Sequence, residues 1–285
     1  MNRTEKSTVA KTPAELLHDE IETVVQAEHA DPFGILGPHW TGPKGSRSLV
    51  IRAFRPGAKK ASVLWGPDRK VYPATLTHPG GVFEAILRAD TPSLREEEPV
   101  SPTKYRLQFE FADAAKFETY DPYAFAQVLS EYDLYLSGEG THYEKYEKLG
   151  AHVREVAGVR GVHFAVWAPN AQRVSVVGDF NLWDGRANPM RNLGPTGIWE
   201  IFMPGLDEGA LYKFEILSRV AHHLGLKSDP YGFSAEMRPN TASVVFDINR
   251  YQWNDSHWLA DRKARDWQHS PMSIYEIHAG SWKRR

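Results

Sequence analysis

The run Asp179-Phe180-Asn181-Leu182-Trp183-Asp184 sets an indole among short Asx side chains, just after the apolar stretch Val174–Val177. That grouping suits binding rather than bond-making. A pyranose ring offers an apolar C–H face that lies flat on an aromatic ring, and equatorial hydroxyls that short polar groups can meet. Trp183 is the candidate platform, Asn181 a candidate hydrogen-bonder, and Lys213, in the stretch Leu211–Leu217, a further contact from a neighbouring strand. Trp183 is also placed to be a rim tryptophan that plugs the end of a β-sheet stack, and the burial habit of tryptophan favours that role.

Bond-making chemistry has no comparable foothold. There is no phosphate-cradling G-x-x-x-x-G-K-[ST], no dinucleotide-type G-x-G-x-x-G after a strand, no H-E-x-x-H and no G-x-S-x-G. Cysteine is absent, which removes thiolate nucleophiles, thiolate metal sites and disulfides together. His222 and His223 are adjacent, so on a strand they would point to opposite faces, and they are read as a turn pair rather than metal ligands. Glu96-Glu97-Glu98 is read as a solvated loop. No catalytic residue, metal or cofactor is assigned.

The elements around the candidate turn repeat. Val50–Trp65 is echoed by His163–Gly178, Gly81–Leu87 by Gly197–Met203, Lys104–Glu110 by Leu211–Leu217, and Tyr120–Phe125 by Ser228–Phe233. Pro169 follows Pro56 by 113 residues (169 − 56), and Asp229 follows Asp121 by 108 (229 − 121). Four blocks in one order at nearly one spacing imply a duplicated β-rich domain, with copies too long for a solenoid. The short β-branched and aromatic runs between Gly/Pro turns make each copy an expected β-sandwich.

The layout expected from these signals is a tail over 1–11, a helix with a first sandwich over 12–130, and a connector with helical potential over 131–160. A second sandwich over 161–246 follows, then a tryptophan-bearing linker over 247–271, and over 272–285 the start of something new. The helix start is Thr12-Pro13-Ala14-Glu15, with Thr12 as N-cap, and Leu17, Ile21, Val24 and Val25 lie at helical spacing. Ser273–His278 reads as an apolar strand with no following partner, so more chain is expected beyond it. The fold class is all-β, two tandem immunoglobulin-like sandwiches behind one short helix. A net charge of −2 gives no reason to expect nucleic acid or an anionic membrane as partner. The lack of cysteine, of a signal-peptide stretch and of a membrane-length apolar run suggests a cytoplasmic protein.

Val166–Gly185, Leu211–Glu215, Lys227–Phe233 and Ser273–Trp282 together resemble bacterial glycogen branching enzymes. So do His29–Gly37 and Leu136–His152, the more specific matches, and the likeness runs from about Ile21 to the end. The resemblance implies an N-terminal β-sandwich, a glycogen-binding sandwich, a (β/α)₈ barrel and a C-terminal β-domain, of which Ile274–His278 would open the barrel. It implies retaining transfer of an α-1,4-glucan to a 6-hydroxyl by an Asp nucleophile and a Glu acid/base in that barrel. None of those catalytic motifs matches a position here, so the chain alone is expected to be inactive. A standalone α-glucan-binding or scaffolding module is the alternative.

The same resemblance gives Trp183 and Lys213 as glucan contacts and glycogen or another α-1,4-glucan as partner, alongside an intramolecular barrel. It also marks two departures. Leu226 stands where a second tryptophan is expected, and Ser243 near the place of an asparagine. Weak glucan binding, or a spacer role, is the expectation. The first copy has Trp65-Gly66-Pro67-Asp68 at the corresponding turn, so any sugar site belongs to the second.

Overall fold

A computed structural model describes residues 13–88, 90–92, 94–96, 99–220 and 222–282. The tail read over 1–11, the Thr12 cap, and Glu97 and Glu98 lie outside them. The chain forms two units, Met1–Asp247 and Ile248–Arg285.

In the first unit, helix α1 (Pro13–Val25) buries Ile21 and Val24, the stripe that its spacing anticipates. Glu22 meets His78 at 2.9 Å, which pins the helix to a hairpin of the first sandwich. That sandwich comprises β1 (Gly37–Thr41), β2 (Ser48–Phe54), β3 (Lys60–Trp65), β4 (Lys70–His78), β5 (Val82–Leu87), β6 (Tyr105–Glu110) and β7 (Lys116–Thr119). Their order is β1-β2-β5-β4-β3-β6-β7. Strand β4 joins the layers. Lys70 to Ala74 pair with β3, and Thr75 to His78 pair with β5. Leu49, Ile51, Phe83 and Leu87 face Val63, Trp65, Leu107 and Phe109 across the core. On β6 the period is two: Tyr105, Leu107 and Phe109 are buried and the residues between them are not.

The segment to the second sandwich carries α2 (Glu131–Glu139), started by a capping box between Ser130 and Asp133. The second sandwich has β8 (Gly150–Val156), β9 (Val159–Trp167), β10 (Ala171–Gly178), β11 (Arg191–Asn192), β12 (Ile198–Pro204), β13 (Leu211–Ser218), β14 (Leu224–Lys227), β15 (Ser234–Ala235) and β16 (Ser243–Val244). One sheet runs β11-β12-β9-β8 and the other β10-β13-β16-β15, with β14 also on β13. Phe164, Val166, Val176, Trp199, Ile201, Tyr212 and Phe214 fill the space between, and Ile21, Val24 and Phe54 extend the same cluster toward α1 and the first copy. Hydrophobic burial on this scale is the main stabilising term of both copies.

Strand β8 departs from the sequence expectation, because Gly150–Val156 lies in the stretch read as connector. It pairs residue for residue with β9, from Gly150 opposite Ala165 to Val156 opposite Val159. Its alternation is faint in sequence since only Gly150 and Ala151 are fully buried. The structure also extends the duplication. His39 lies 3.0 Å from the Leu36 carbonyl and His152 3.0 Å from the Leu149 carbonyl, again 113 residues apart (152 − 39). Both close the same L-G-x-H entry into a first strand.

In the second unit, α3 (Ser256–Ala264) and the short α4 (Ala279–Trp282) are the regular elements among the described residues. Ser273–His278 is a correction to the sequence expectation, for it forms no strand. A strand needs a hydrogen-bonding edge beside it, and no described residue supplies one; Ile274 is 86% exposed and Tyr275 74%. No helix among the described residues is long and apolar enough to cross a membrane.

Candidate functional site

Strand β10 ends at Gly178, where the chain turns sharply. Gly178 tolerates no side chain, because one would meet the Leu211 carbonyl and the Phe180 ring. The Asn181 side chain closes the turn. Its oxygen accepts from Gly178 N at 3.0 Å, and its nitrogen donates to Val176 O at 3.0 Å and to Asn188 Oδ1 at 2.9 Å. Asn181 is buried, and both of its N–H groups are used. The structure therefore makes it a brace for the turn rather than an open contact.

Leu182 and Trp183 follow with φ values of 57° and 60°, two consecutive left-handed residues that ordinarily cost energy without glycine. The bonds around them hold the conformation. Trp183 N donates to Gly178 O at 2.9 Å, and the indole Nε1 donates to Asp179 Oδ1 at 2.8 Å. Trp183 is half-buried and belongs to no apolar core of the molecule. It is not the plug of a sandwich end. Phe180 points the other way, to within 6.3 Å of Phe164, and lines a hollow with Arg55 and Phe117 of the first sandwich. The turn thus lies beside a hollow that both copies line.

After Trp183 the chain returns along the outer face of β10 and β13. On β13, Tyr212 and Phe214 face the core, so Lys213 and Glu215 face outward. Gly185 abuts the Glu215 carboxylate, and its carbonyl accepts from Arg173 Nη1 at 3.2 Å. Arg173 also reaches Glu215 at 2.8 Å. This nearly buried ion pair fixes the floor beneath the returning loop. Asp184 takes both ends of Arg186, at 2.9 and 2.7 Å. That pairing, with Arg55 more distant, holds the Asp184 carboxyl below its ordinary range.

Lys213 donates to the Thr241 hydroxyl at 2.7 Å, a partner that sequence inspection did not single out. Leu226 sits opposite Glu215 in the β13–β14 register and is 51% exposed, so it occupies the outward row that a second aromatic would need. Ser243 is buried and its hydroxyl accepts from Asp229 N at 2.9 Å, a structural role. Of the three sequence candidates, the structure turns Lys213 to the outer face of β13, leaves Trp183 half-buried on its turn, and commits Asn181 to that turn. Asp179 was missed, although its spacing of four before Trp183 was the available signal. No three His, Asp or Glu side chains converge as a metal site among the described residues.

Comparison with known proteins gives the same partition. Residues 17–123 match the family described as alpha-1,4-glucan branching enzyme GlgB, N-terminal domain. Residues 148–232 match carbohydrate-binding module 48, the isoamylase N-terminal domain. The chain is 48% identical over 267 residues to the 1,4-alpha-glucan branching enzyme GlgB of Rubrobacter xylanophilus, covering 94% of this chain and 34% of that protein. It is 47% identical over 265 residues to that of Paramagnetospirillum magneticum, covering 93% and 33%. A solved structure, ligand-free PulA from Klebsiella pneumoniae, overlaps 75% of this chain and 21% of its own at 16% identity, with a TM-score of 0.32. The chain spans about a third of the length of the curated relatives it matches. It carries the N-terminal domain of the alpha-1,4-glucan branching enzyme GlgB type and a carbohydrate-binding module 48, an N-terminal portion of the branching enzymes it matches.

Proposed function

We propose that this region holds α-1,4-glucan for a branching reaction carried out by a catalytic domain of the full-length protein, with the second sandwich making the contact. That reaction would be retaining transfer of an α-1,4-glucan to a 6-hydroxyl. No catalytic residue is assigned to the present chain, which is expected to be inactive alone. The observation that carries the proposal is the Trp183 turn. Its indole is locked by Asp179, lies outside every core cluster, and stands where the turn returns over the sheet that bears Lys213. A fixed ring loses little conformational freedom when a sugar stacks on it. The Lys213 ammonium, already donating to a hydroxyl, can donate to a sugar hydroxyl oxygen in place of Thr241.

Native electrophoresis through gels containing glycogen tests this. Trp183→Ala is expected to abolish most of the retardation while leaving the melting temperature close to that of the parent. Unchanged retardation in that variant would remove Trp183 from the site.

A further inference from the structure

The opposite sheet of the same module holds a second aromatic hollow. In β9, Val162, Phe164 and Val166 face the core, which turns Gly161, His163, Ala165 and Trp167 to the outer face. The segment arriving from the first sandwich roofs this face. Phe125 packs on Phe202 with ring centres 4.8 Å apart, Val128 N and Leu129 N donate to Glu200, and Leu129 and Leu149 cover Ala165 and Ile198. The roof stops one residue short. Trp167, opposite Ile198 at the end of the row, is 60% exposed, and it alone among the five tryptophans of the first unit is classed as exposed.

Its ring is not loose. The indole Nε1 donates to Thr196 O at 3.1 Å, so the exposed face is presented in one orientation. Around it lies a hollow of about 330 Å³, walled by Ser137, Lys145, Thr196, Pro230 and Tyr231. The side chains of Ser137, Lys145 and Tyr231 make no hydrogen bond or ion pair among the described residues. A hydroxyl, an ammonium and a phenol thus surround a fixed aromatic face, which is the chemistry a pyranose needs: a C–H face on the ring and hydroxyls at the rim.

We infer that the Trp167 hollow is a second α-glucan subsite, on the sheet opposite the one that carries Trp183. The inference rests on the module being a glucan binder. Two subsites on opposite faces would let one module engage two outer chains of a branched polysaccharide, and their linkage raises retention beyond either alone.

Titration of the full chain with maltoheptaose by calorimetry, together with glycogen-gel retardation, tests it. The parent is expected to bind at two sites. Trp167→Ala and Trp183→Ala should each leave one, and the double variant none. Loss of Trp167 should weaken glycogen retention roughly tenfold or less, in line with one aromatic stack, and Trp167→Phe should restore most of it. Lys145→Ala, at a rim position outside both cores, should weaken the same site without altering the melting temperature. Unchanged stoichiometry and retention in Trp167→Ala, with binding lost in Trp183→Ala, would overturn the second subsite and leave the first standing. The reverse pattern would remove Trp183 from the site and support Trp167. No binding by the parent would end both.

Discussion

The Tyr105 hydroxyl donates to the Asp121 carboxylate at 2.7 Å, and the second sandwich repeats the bond, Tyr212 to Asp229, at 2.6 Å. In each copy the other carboxylate oxygen accepts the backbone N–H two residues on, from Tyr123 at 3.0 Å and Tyr231 at 2.8 Å. The two D-P-Y turns therefore do one job twice: they tie the chain that follows β7 in the first copy and β14 in the second to a core strand. Next to each turn stands an entry glycine with positive φ: Gly37 passes so close to the Tyr123 carbonyl that no side chain fits, and Gly150 makes the same, slightly looser approach to the Tyr231 carbonyl.

Burial pushes the Asp121 carboxyl up to about 6, against the pull of the Tyr105 hydroxyl and the Tyr123 N–H. Its folded value exceeds the ordinary 3.8, so the native state binds more protons between these values and this group's contribution falls as pH rises through about 6. In Tyr105→Phe the ionised carboxylate loses its side-chain donor. The expected cost is about 1–3 kcal/mol above that pH and less below it, where the carboxyl is protonated. Urea unfolding at two pH values checks this; a cost independent of pH would contradict it.

Glu200 fastens the inter-sandwich segment to β12. Its buried carboxylate takes Val128 N and Leu129 N at 3.0 Å each and lies 3.0 Å from His163 Nε2, with Arg191 at 3.7 Å. Burial opposes the charge, but these donors keep the Glu200 carboxyl below its ordinary range, while burial lowers His163. A charged Glu200 only accepts, so His163 carries its proton on Nε2. Nδ1 is then left buried without a partner. Glu200→Ala strands three hydrogen-bond donors, removes the charge facing Arg191, and is expected to cost about 3–5 kcal/mol. Equilibrium unfolding measures it, and a cost under about 1 kcal/mol would contradict the latch.

Leu226 faces outward opposite Glu215 and is half exposed. Leu226→Trp adds an aromatic to that row without entering a core. Maltoheptaose affinity is expected to rise about twofold to tenfold, the worth of one stacking contact. Calorimetry decides, and an unchanged or weaker affinity would place the sugar elsewhere.

The alternating strands and the duplicated blocks were legible because each copy buries one face of each strand, and that burial imposes a period of two. The F-N-x-W turn was legible as a grouping, but the division of labour within it was not. Asn181 and Trp183 look equally polar-capable in sequence, and only the position of Gly178 and Asn188 shows that the amide is consumed inside the turn. Strand β8 was hidden because its outer residues are partly exposed and charged, leaving little alternation to see. Ile274–His278 has strand composition without a partner edge, and composition cannot supply one. Glu200 looks like any acidic residue on a strand; its meaning comes from Val128 and Leu129, 72 and 71 residues earlier.

The most direct test follows the Trp183 indole N–H in an isotope-labelled chain during titration with maltoheptaose. Stacking on a ring held 2.8 Å from Asp179 should shift that resonance and those of the Asp179–Asp184 backbone in a saturable way. A saturable titration that leaves the Trp183 signal unmoved, or no titration at all, would contradict the assignment of this turn as the glucan contact.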